Sequence, residues 1–328
     1  MKLARKGELA LVNDIRARFS SRLPRGGTGI GDDAAIITPS PGKLLATVDA
    51  MVEGVHFDLS LITPRQLGFK LVSVNVSDIY AMGGRPSYVL LSMALPSKTD
   101  VSFVEGLLEG IDEGLGLHGC VLAGGDVSSS PSGVTLSATV LGHSSRPAKR
   151  SGARQGHGIF VTGTLGDSAC GLELLRKIGR PVDLEKGRKG PLSWETMEPL
   201  LRRHIRPEPG PMSRTALNAA ASMMDISDGL LLDLWRLCSE SGVGAVLNEA
   251  SIPVSSEMRA AAVYLGIEPM SLALSGGEDY VILFTSPRKE VSKAIRIGEI
   301  QKSGYRLIRA SGREISLTPS GYGHFSGK

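Results

Sequence analysis

An α/β fold in two domains is the class this sequence predicts, and three observations carry the prediction. At 328 residues the chain suggests two domains with substantial cores. Short apolar runs of strand length alternate with longer segments whose apolar residues recur at helical spacing. Between them stand junctions drawn from 41 glycines, and several of these end in aspartate or glutamate. The domains are expected at residues 1–145 and 146–328.

Bulk composition removes several function classes. A hydrophobic content of 41% with 21% charged residues is that of an ordinary globular protein. Aromatics make up only 5%, so the cores must rely on Leu, Val, Ile, Ala and Met. The net charge of +4 comes without a dense basic stripe, which argues against a nucleic-acid partner. No window is long and apolar enough for a membrane span. The basic start, Met1 to Glu8, is not followed by an apolar signal region. Cys120, Cys170 and Cys238 are odd in number and far apart, and read as core thiols of a reducing compartment. A cytoplasmic location is expected.

The elements follow in order. Leu9, Val12, Ile15 and Phe19 predict an amphipathic helix. It leads into Gly26-Gly27-Thr28-Gly29-Ile30-Gly31-Asp32-Asp33-Ala34-Ala35, a flexible run that ends in two adjacent carboxylates. Leu44 to Val48 is of strand length and delivers Asp49 at its C-terminal end, where open α/β sheets place ligand groups. His56 follows in a glycine-containing loop, as either a substrate contact or filler. Residues 67–82 read as a helix in which Asp78 lies among Val76, Ile79 and Tyr80. Unpaired burial of that carboxylate would be costly, so it bonds locally or faces a cation. Gly83-Gly84 closes the helix. Tyr88 to Leu95 is a strand, Val101 to Leu117 a helix, and Cys120 to Ala123 a strand running into Gly124-Gly125-Asp126. Val134 to Leu141 is the last strand of this half.

Residues 144–158 are polar and basic, fitting a solvated linker, a phosphate-facing arginine, or both. Ile159 to Val161 is a strand, and Gly163 to Ser168 opens a helix through Arg176. That junction can hold an anion at a helix N-terminus, although it is not a Walker A sequence. Residues 178–193 read as a loop. Met223-Met224 leads into Asp225-Ile226-Ser227-Asp228-Gly229 and a helix from Leu230 to Ser239. One aspartate there can be an N-cap, which leaves the other to be explained. Ser275-Gly276-Gly277-Glu278-Asp279-Tyr280 precedes a strand from Val281 to Phe284. The tail Gly321-Tyr322-Gly323-His324-Phe325 carries aromatic groups on a terminus expected to fray.

The carboxylates collected this way are Asp32, Asp33, Asp49, Asp78, Asp126, Asp225, Asp228 and Glu278. If the strands converge, so do these groups, and such a crowd cannot stay ionised without cations. An all-oxygen set without His or Cys ligand spacing selects Mg²⁺ over Zn²⁺. Mg²⁺ held by few carboxylates completes its shell with water and phosphates, so the chemistry inferred is phosphoryl transfer or nucleotide binding.

At these residues the chain resembles the thiamine-monophosphate kinases of the aminoimidazole-ribonucleotide-synthetase-like superfamily. The motifs that carry the resemblance include Gly31-Asp32-Asp33-Ala34, Thr47-Val48-Asp49, Gly54-Val55-His56-Phe57 and the run from Val74 to Gly83. Gly124-Gly125-Asp126, Arg150-Ser151-Gly152-Ala153, the run from Val161 to Asp167, and Asp225 to Leu230 continue it. Ser275 to Tyr280 and Gly321 to Phe325 complete it, so the motifs span nearly the whole chain in order.

The resemblance implies a two-domain synthetase-like fold. Its N-terminal mixed sheet would pair with a second copy's into a homodimer barrel, and its C-terminal half would form an α/β sandwich. It implies ATP at the subunit junction, contacted by Gly125, Asp126, Arg150 and Ser227. Mg²⁺ ligands would be Asp33, Thr47, Asp49, Asp78, Asp126, Asp225 and Asp228, with Asp33, Asp126 and Asp225 carrying the catalysis. Val48 stands where relatives often carry a hydroxyl residue: if that position ligates through its main-chain carbonyl nothing is lost, and if through a side chain one metal is held more weakly. Thiamine monophosphate would meet His56, Glu278 and Tyr322. The implied reaction is phosphorylation of thiamine monophosphate to thiamine diphosphate by direct in-line transfer from ATP. The alternatives are another ATP-using enzyme of the superfamily, such as an aminoimidazole ribonucleotide synthetase, or a non-catalytic Mg-ATP sensor.

Overall fold

The structure is a computed structural model that describes residues 1–22, 29–30, 34–37, 39–187, 190 and 192–323. Asp32 and Asp33, with most of the glycine run before them, and His324 and Phe325 lie outside the described residues. The chain forms two compact units, Met1–Tyr80 with Gly84–Arg146, and Ala81–Gly83 with Pro147–Lys328.

The first unit opens with α1 (Leu3–Lys6), α2 (Glu8–Phe19) and a 3-10 turn (Ser20–Arg22). Leu11, Ile15 and Phe19 form the buried stripe of α2, whereas Leu9 is 81% exposed and lies off it. Then come β1 (Lys43–Val52), α3 (Pro64–Ala81), β2 (Arg85–Pro96), α4 (Val101–His118), β3 (Val121–Ser130) and β4 (Thr135–Ser144). The four strands form one mixed sheet in the order β1-β4-β2-β3. Only the β2–β3 pair is parallel. Strict alternation along β4 buries Leu136, Ala138 and Val140 on one face, the period-two pattern of a sheet with a single apolar side.

Two strands run further than their sequence suggests. β1 continues to Val52, so Asp49 sits within it, opposite Ala138, and not at its C-terminal end. β3 passes through Gly124, Gly125 and Asp126 instead of stopping before them. Its register against β2 slips between Val89 and Leu90, and beyond the slip Leu91 faces Gly125 and Ser92 faces Asp126. At Gly125 a Cβ would lie 1.9 Å from the Leu91 carbonyl oxygen, so only glycine allows this approach.

The second unit contains β5 (Gly158–Val161), α5 (Asp167–Ile178), α6 (Trp194–Ile205), α7 (Arg214–Ala219), β6 (Ser222–Asp225) and α8 (Leu230–Ser241). It continues with β7 (Gly244–Asn248), a 3-10 turn (Glu249–Ser251), α9 (Ser256–Leu265), α10 (Pro269–Ser275), β8 (Ile282–Ser286), β9 (Ile295–Gln301), β10 (Tyr305–Ile308) and β11 (Glu314–Ser316). Its seven strands lie in the order β11-β10-β7-β9-β5-β8-β6. β5, β6 and β8 are buried on both faces. Phe160 and Phe284 stack at 5.3 Å between ring centroids in their midst. The basic segment after residue 146 is bound to this unit. The Ser241 hydroxyl accepts from the Gly152 and Ala153 N–H groups and donates to the Arg150 carbonyl, while the Met223 N–H donates to Lys149.

Candidate active site

In the first unit two of the predicted ligand residues, Thr47 and Asp78, meet where β1 packs on α3. The Thr47 hydroxyl donates to Asp78 Oδ2 at 2.6 Å. This explains how a carboxylate is tolerated on a helix whose neighbours are almost all buried: Asp78 is half-buried and hydrogen-bonded. One helical turn earlier, Asn75 accepts the Asp49 N–H, and the Ser137 hydroxyl donates to the Asp49 carbonyl. The Asp49 backbone is therefore fixed while its side chain stands on the exposed part of β1. Val48 is 60% exposed beside it. Asp126 is exposed on β3. His56 Nδ1 accepts the Val52 N–H in the turn after β1, a structural bond that orients the ring.

In the second unit the loop between β6 and α8 answers which aspartate caps the helix. Neither Asp225 nor Asp228 does. The N-cap position is Gly229, which has no side chain to cap with, and it is the loop before the helix that is held, by a residue of the helix itself. Asp233, wholly buried, turns Oδ2 back to accept the N–H groups of Ser227, Asp228 and Gly229 at 3.1, 3.0 and 3.2 Å. Its Oδ1 takes Arg236 Nη1 at 2.8 Å, and the same guanidinium nitrogen pairs with Asp228 Oδ2. Burial pushes the Asp233 carboxyl up to about 6, against the lowering pull of the Asp228 N–H and Arg236. The motif's other carboxylate, Asp225, is buried at the end of β6.

The junction before α5 departs from expectation in an instructive way. The anion held at that helix N-terminus is the protein's own: Asp279 Oδ2 accepts the Gly166 N–H at 2.6 Å and Oδ1 the Ser168 N–H at 3.1 Å. Asp279 is 1% exposed, and burial drives its carboxyl up to about 7, opposed by those two N–H groups and by Arg203. Anchoring Asp279 inward forces its neighbours into left-handed backbone, with φ of 65° at Glu278 and 50° at Tyr280. Such conformations cost on the order of 1–3 kcal/mol each and persist only where the surroundings impose them. Here Glu278 N–H donates to the Ser227 carbonyl at 2.7 Å and Tyr280 N–H to Ile226 at 2.9 Å. Gly277 allows the two loops to touch, since a Cβ there would fall 2.5 Å from the Ser227 carbonyl oxygen. The tail joins them: Tyr322 N–H donates to the Asp228 carbonyl at 3.0 Å, so at Tyr322 the backbone is tied down and not frayed. Ser227, Asp228, Glu278 and Tyr322 thus share one neighbourhood.

Residues 31–144 match the family model described as AIR synthase related protein, N-terminal domain, and residues 154–307 match its C-terminal domain. A thiamine-monophosphate kinase of Aquifex aeolicus is 35% identical over 99% of this chain and 100% of its own length. The chain belongs to the thiamine-monophosphate kinase family. Among solved structures, one described as AaThiL complexed with AMPPCP and TMP superposes with a TM-score of 0.75 at 35% identity, covering 99% of both chains. The thiamine-monophosphate kinase of Stenotrophomonas maltophilia K279a matches with a TM-score of 0.75 at 31% identity, covering 92% of this chain and 96% of that one.

Within this family member the predicted residues fall into two groups, one per unit. Thr47, Val48, Asp49, Asp78, Gly125, Asp126 and His56 belong to the first, and Arg150, Asp225, Ser227, Asp228, Glu278 and Tyr322 to the second. Among the described residues no three His, Cys, Asp or Glu side chains gather as a metal cluster. The donors present are all oxygen, and the Thr47–Asp78 pair is already side by side. That chemistry suits a hard cation such as Mg²⁺. Sequence reading missed Arg203, His204, Asp233 and Arg236, which hold the loops. The signal for α6 was present in Met197, Leu200, Leu201, His204 and Ile205, all buried and at helical spacing. The three cysteines match expectation: all are buried thiols pushed up to about 12 by burial.

Proposed function

We propose that this chain transfers the γ-phosphoryl group of ATP to thiamine monophosphate, releasing thiamine diphosphate and ADP. The observation that carries the reading is the similarity, over 99% of both chains, to the family member solved with AMPPCP and TMP. The acceptor is itself a phosphate whose second pKa is near 6, so it is largely ionised at neutral pH and needs no general base. What the protein must overcome is repulsion between two polyanions. Asp33, Thr47, Asp49, Asp78, Asp126, Asp225 and Asp228 are the groups that would hold Mg²⁺. Mg²⁺ bound there supplies charge neutralisation of the phosphates. Asp33, Asp126 and Asp225 carry the greatest share of that role, and Val48 contributes through its main-chain carbonyl.

Gly125, Asp126, Ser227 and Arg150 contact the nucleotide, Arg150 by its planar fork of donors. His56, Glu278 and Tyr322 contact thiamine monophosphate. Glu278 offers a carboxylate to a cationic ligand, and the Tyr322 ring can stack on the thiazolium for roughly 0.5–2 kcal/mol. The working unit is a homodimer formed through the first unit's sheet. Support comes from β1, an edge strand that leaves Leu44 71% and Val48 60% exposed. The domains are taken as 1–145 and 146–328, and the location as cytoplasmic. The buried free thiols are in keeping with that location.

The test is turnover by the purified chain with Mg-ATP, offering thiamine monophosphate beside aminoimidazole- and selenide-pathway substrates. Thiamine diphosphate formed from the first alone is the expected result. Turnover of another substrate would move the chain to a sister activity, and ATP binding without any transfer would make it a sensor.

A further inference from the structure

The end of α6 grips the turn that carries Glu278. Arg203 Nη1 reaches the Asp279 carbonyl at 3.5 Å and its Nη2 reaches the Thr164 hydroxyl at 3.3 Å. The next residue, His204, places Nδ1 3.2 Å from Glu278 Oε2 and 3.1 Å from the Ser168 hydroxyl. His204 is 9% exposed, while the Glu278 side chain is 29% exposed and open to a ligand. A carboxylate only accepts, so this contact requires the proton on Nδ1. Glu278 has its backbone fixed in a left-handed conformation by Asp279, but a glutamate side chain still has three rotatable bonds. The imidazole beside Oε2 favours one direction for it.

We propose that His204 is a positioning residue that aims the Glu278 carboxylate at the substrate. His204 itself touches no substrate, and its effect passes through Glu278 Oε2. The proposal rests on the reading that Glu278 contacts thiamine monophosphate. It assigns to α6, a helix outside every recognised motif, control over affinity for the acceptor and not for the nucleotide.

The experiment compares KM for thiamine monophosphate and for ATP in four variants: Glu278→Gln, His204→Leu, His204→Asn and the Glu278→Gln/His204→Leu double. His204→Leu should raise the thiamine monophosphate KM by about tenfold, the loss of one hydrogen bond to a charged group, with the ATP KM within about twofold. His204→Asn carries an amide nitrogen near the position of Nδ1 and should restore most of the affinity. The double variant should be no worse than Glu278→Gln alone, because both changes remove the same interaction. If Glu278→Gln raises the KM while His204→Leu leaves it unchanged, the positioning role is wrong and the Glu278 contact stands. If Glu278→Gln has no effect, the Glu278 reading fails and the proposal with it. Equal rises for both substrates would overturn the proposal in favour of a merely structural histidine. Should His204→Leu fail to fold, His204→Gln replaces it. Gln places its amide near Nε2 instead, and wild-type affinity in that variant would equally overturn the proposal.

Discussion

Replacing Asp233 by alanine tests how the loop between β6 and α8 is held. The change removes the one oxygen that accepts three backbone N–H groups, and the Oδ1 partner of Arg236. Removing one member of a buried charged pair typically costs about 3–5 kcal/mol. Arg236 is 34% exposed and keeps Asp228 as a partner, so its share of that cost is small. Ser227 and Asp228 are half-buried and their N–H groups can recruit water, but that of Gly229 is buried, and an unmade bond there costs about 1–3 kcal/mol. The expected loss is therefore about 3 kcal/mol, the low end of the range.

Urea unfolding read by tryptophan fluorescence is the assay, because both tryptophans of the chain, Trp194 and Trp235, lie in the second unit. The pH dependence has a definite sign. The folded carboxyl, raised to about 6 from 3.8, contributes stability that is fully present below its ordinary value and lost as pH rises through 6. The variant's deficit should therefore widen as pH falls from 7 towards 4. A loss below about 0.5 kcal/mol, the level of an ordinary surface change, would refute the loop-holding role, and a deficit that narrows on acidification would refute the sign.

Three further outcomes are expected. Gly125→Ala should lower stability by about 2–3 kcal/mol through overpacking against the Leu91 carbonyl, seen as a lower thermal midpoint by circular dichroism; an unchanged midpoint would show that β3 yields freely. His118, bonded through its two ring nitrogens to the Ser73 and Tyr80 hydroxyls, is depressed by burial to about 4 from 6.5. It contributes stability above pH 6.5 that is lost as pH falls through 4, about 3 kcal/mol in all, and hydrogen exchange of α3 should lose much of that acid sensitivity in His118→Gln. Tyr322→Ala should raise the thiamine monophosphate KM several-fold, within the range of a cation–π contact, with little change in the ATP KM; equal changes in both would remove the stacking role.

Much of the architecture was legible because it rests on periodicity. The stripe of α4 and the alternation of β4 announce themselves. Punctuation misled where tertiary pairing overrode it. Gly124-Gly125-Asp126 reads as a strand end, yet β2 lies parallel to it and carries the ladder on to Ser130. Helix α6 was passed over although its buried residues keep helical spacing, because Pro199 reads as a helix breaker and Arg202 and Arg203 as a polar segment. In the candidate site, sequence located the loops but not the direction of each carboxylate. Glu278 and Asp279 are adjacent and chemically alike, and only the buried N–H groups of α5 decide that Asp279 turns inward. Asp233 was passed over for a similar reason: a carboxylate that turns back from the first turn to hold the preceding loop looks in sequence like an ordinary helical aspartate.

Asp279 has a consequence for what the start of α5 will admit. Its two oxygens already take the Gly166 and Ser168 N–H groups, so that helix end keeps little partial positive charge for a second anion. A phosphate would gain little by docking there: the protein's own side chain has closed the place where the sequence offers an anion site.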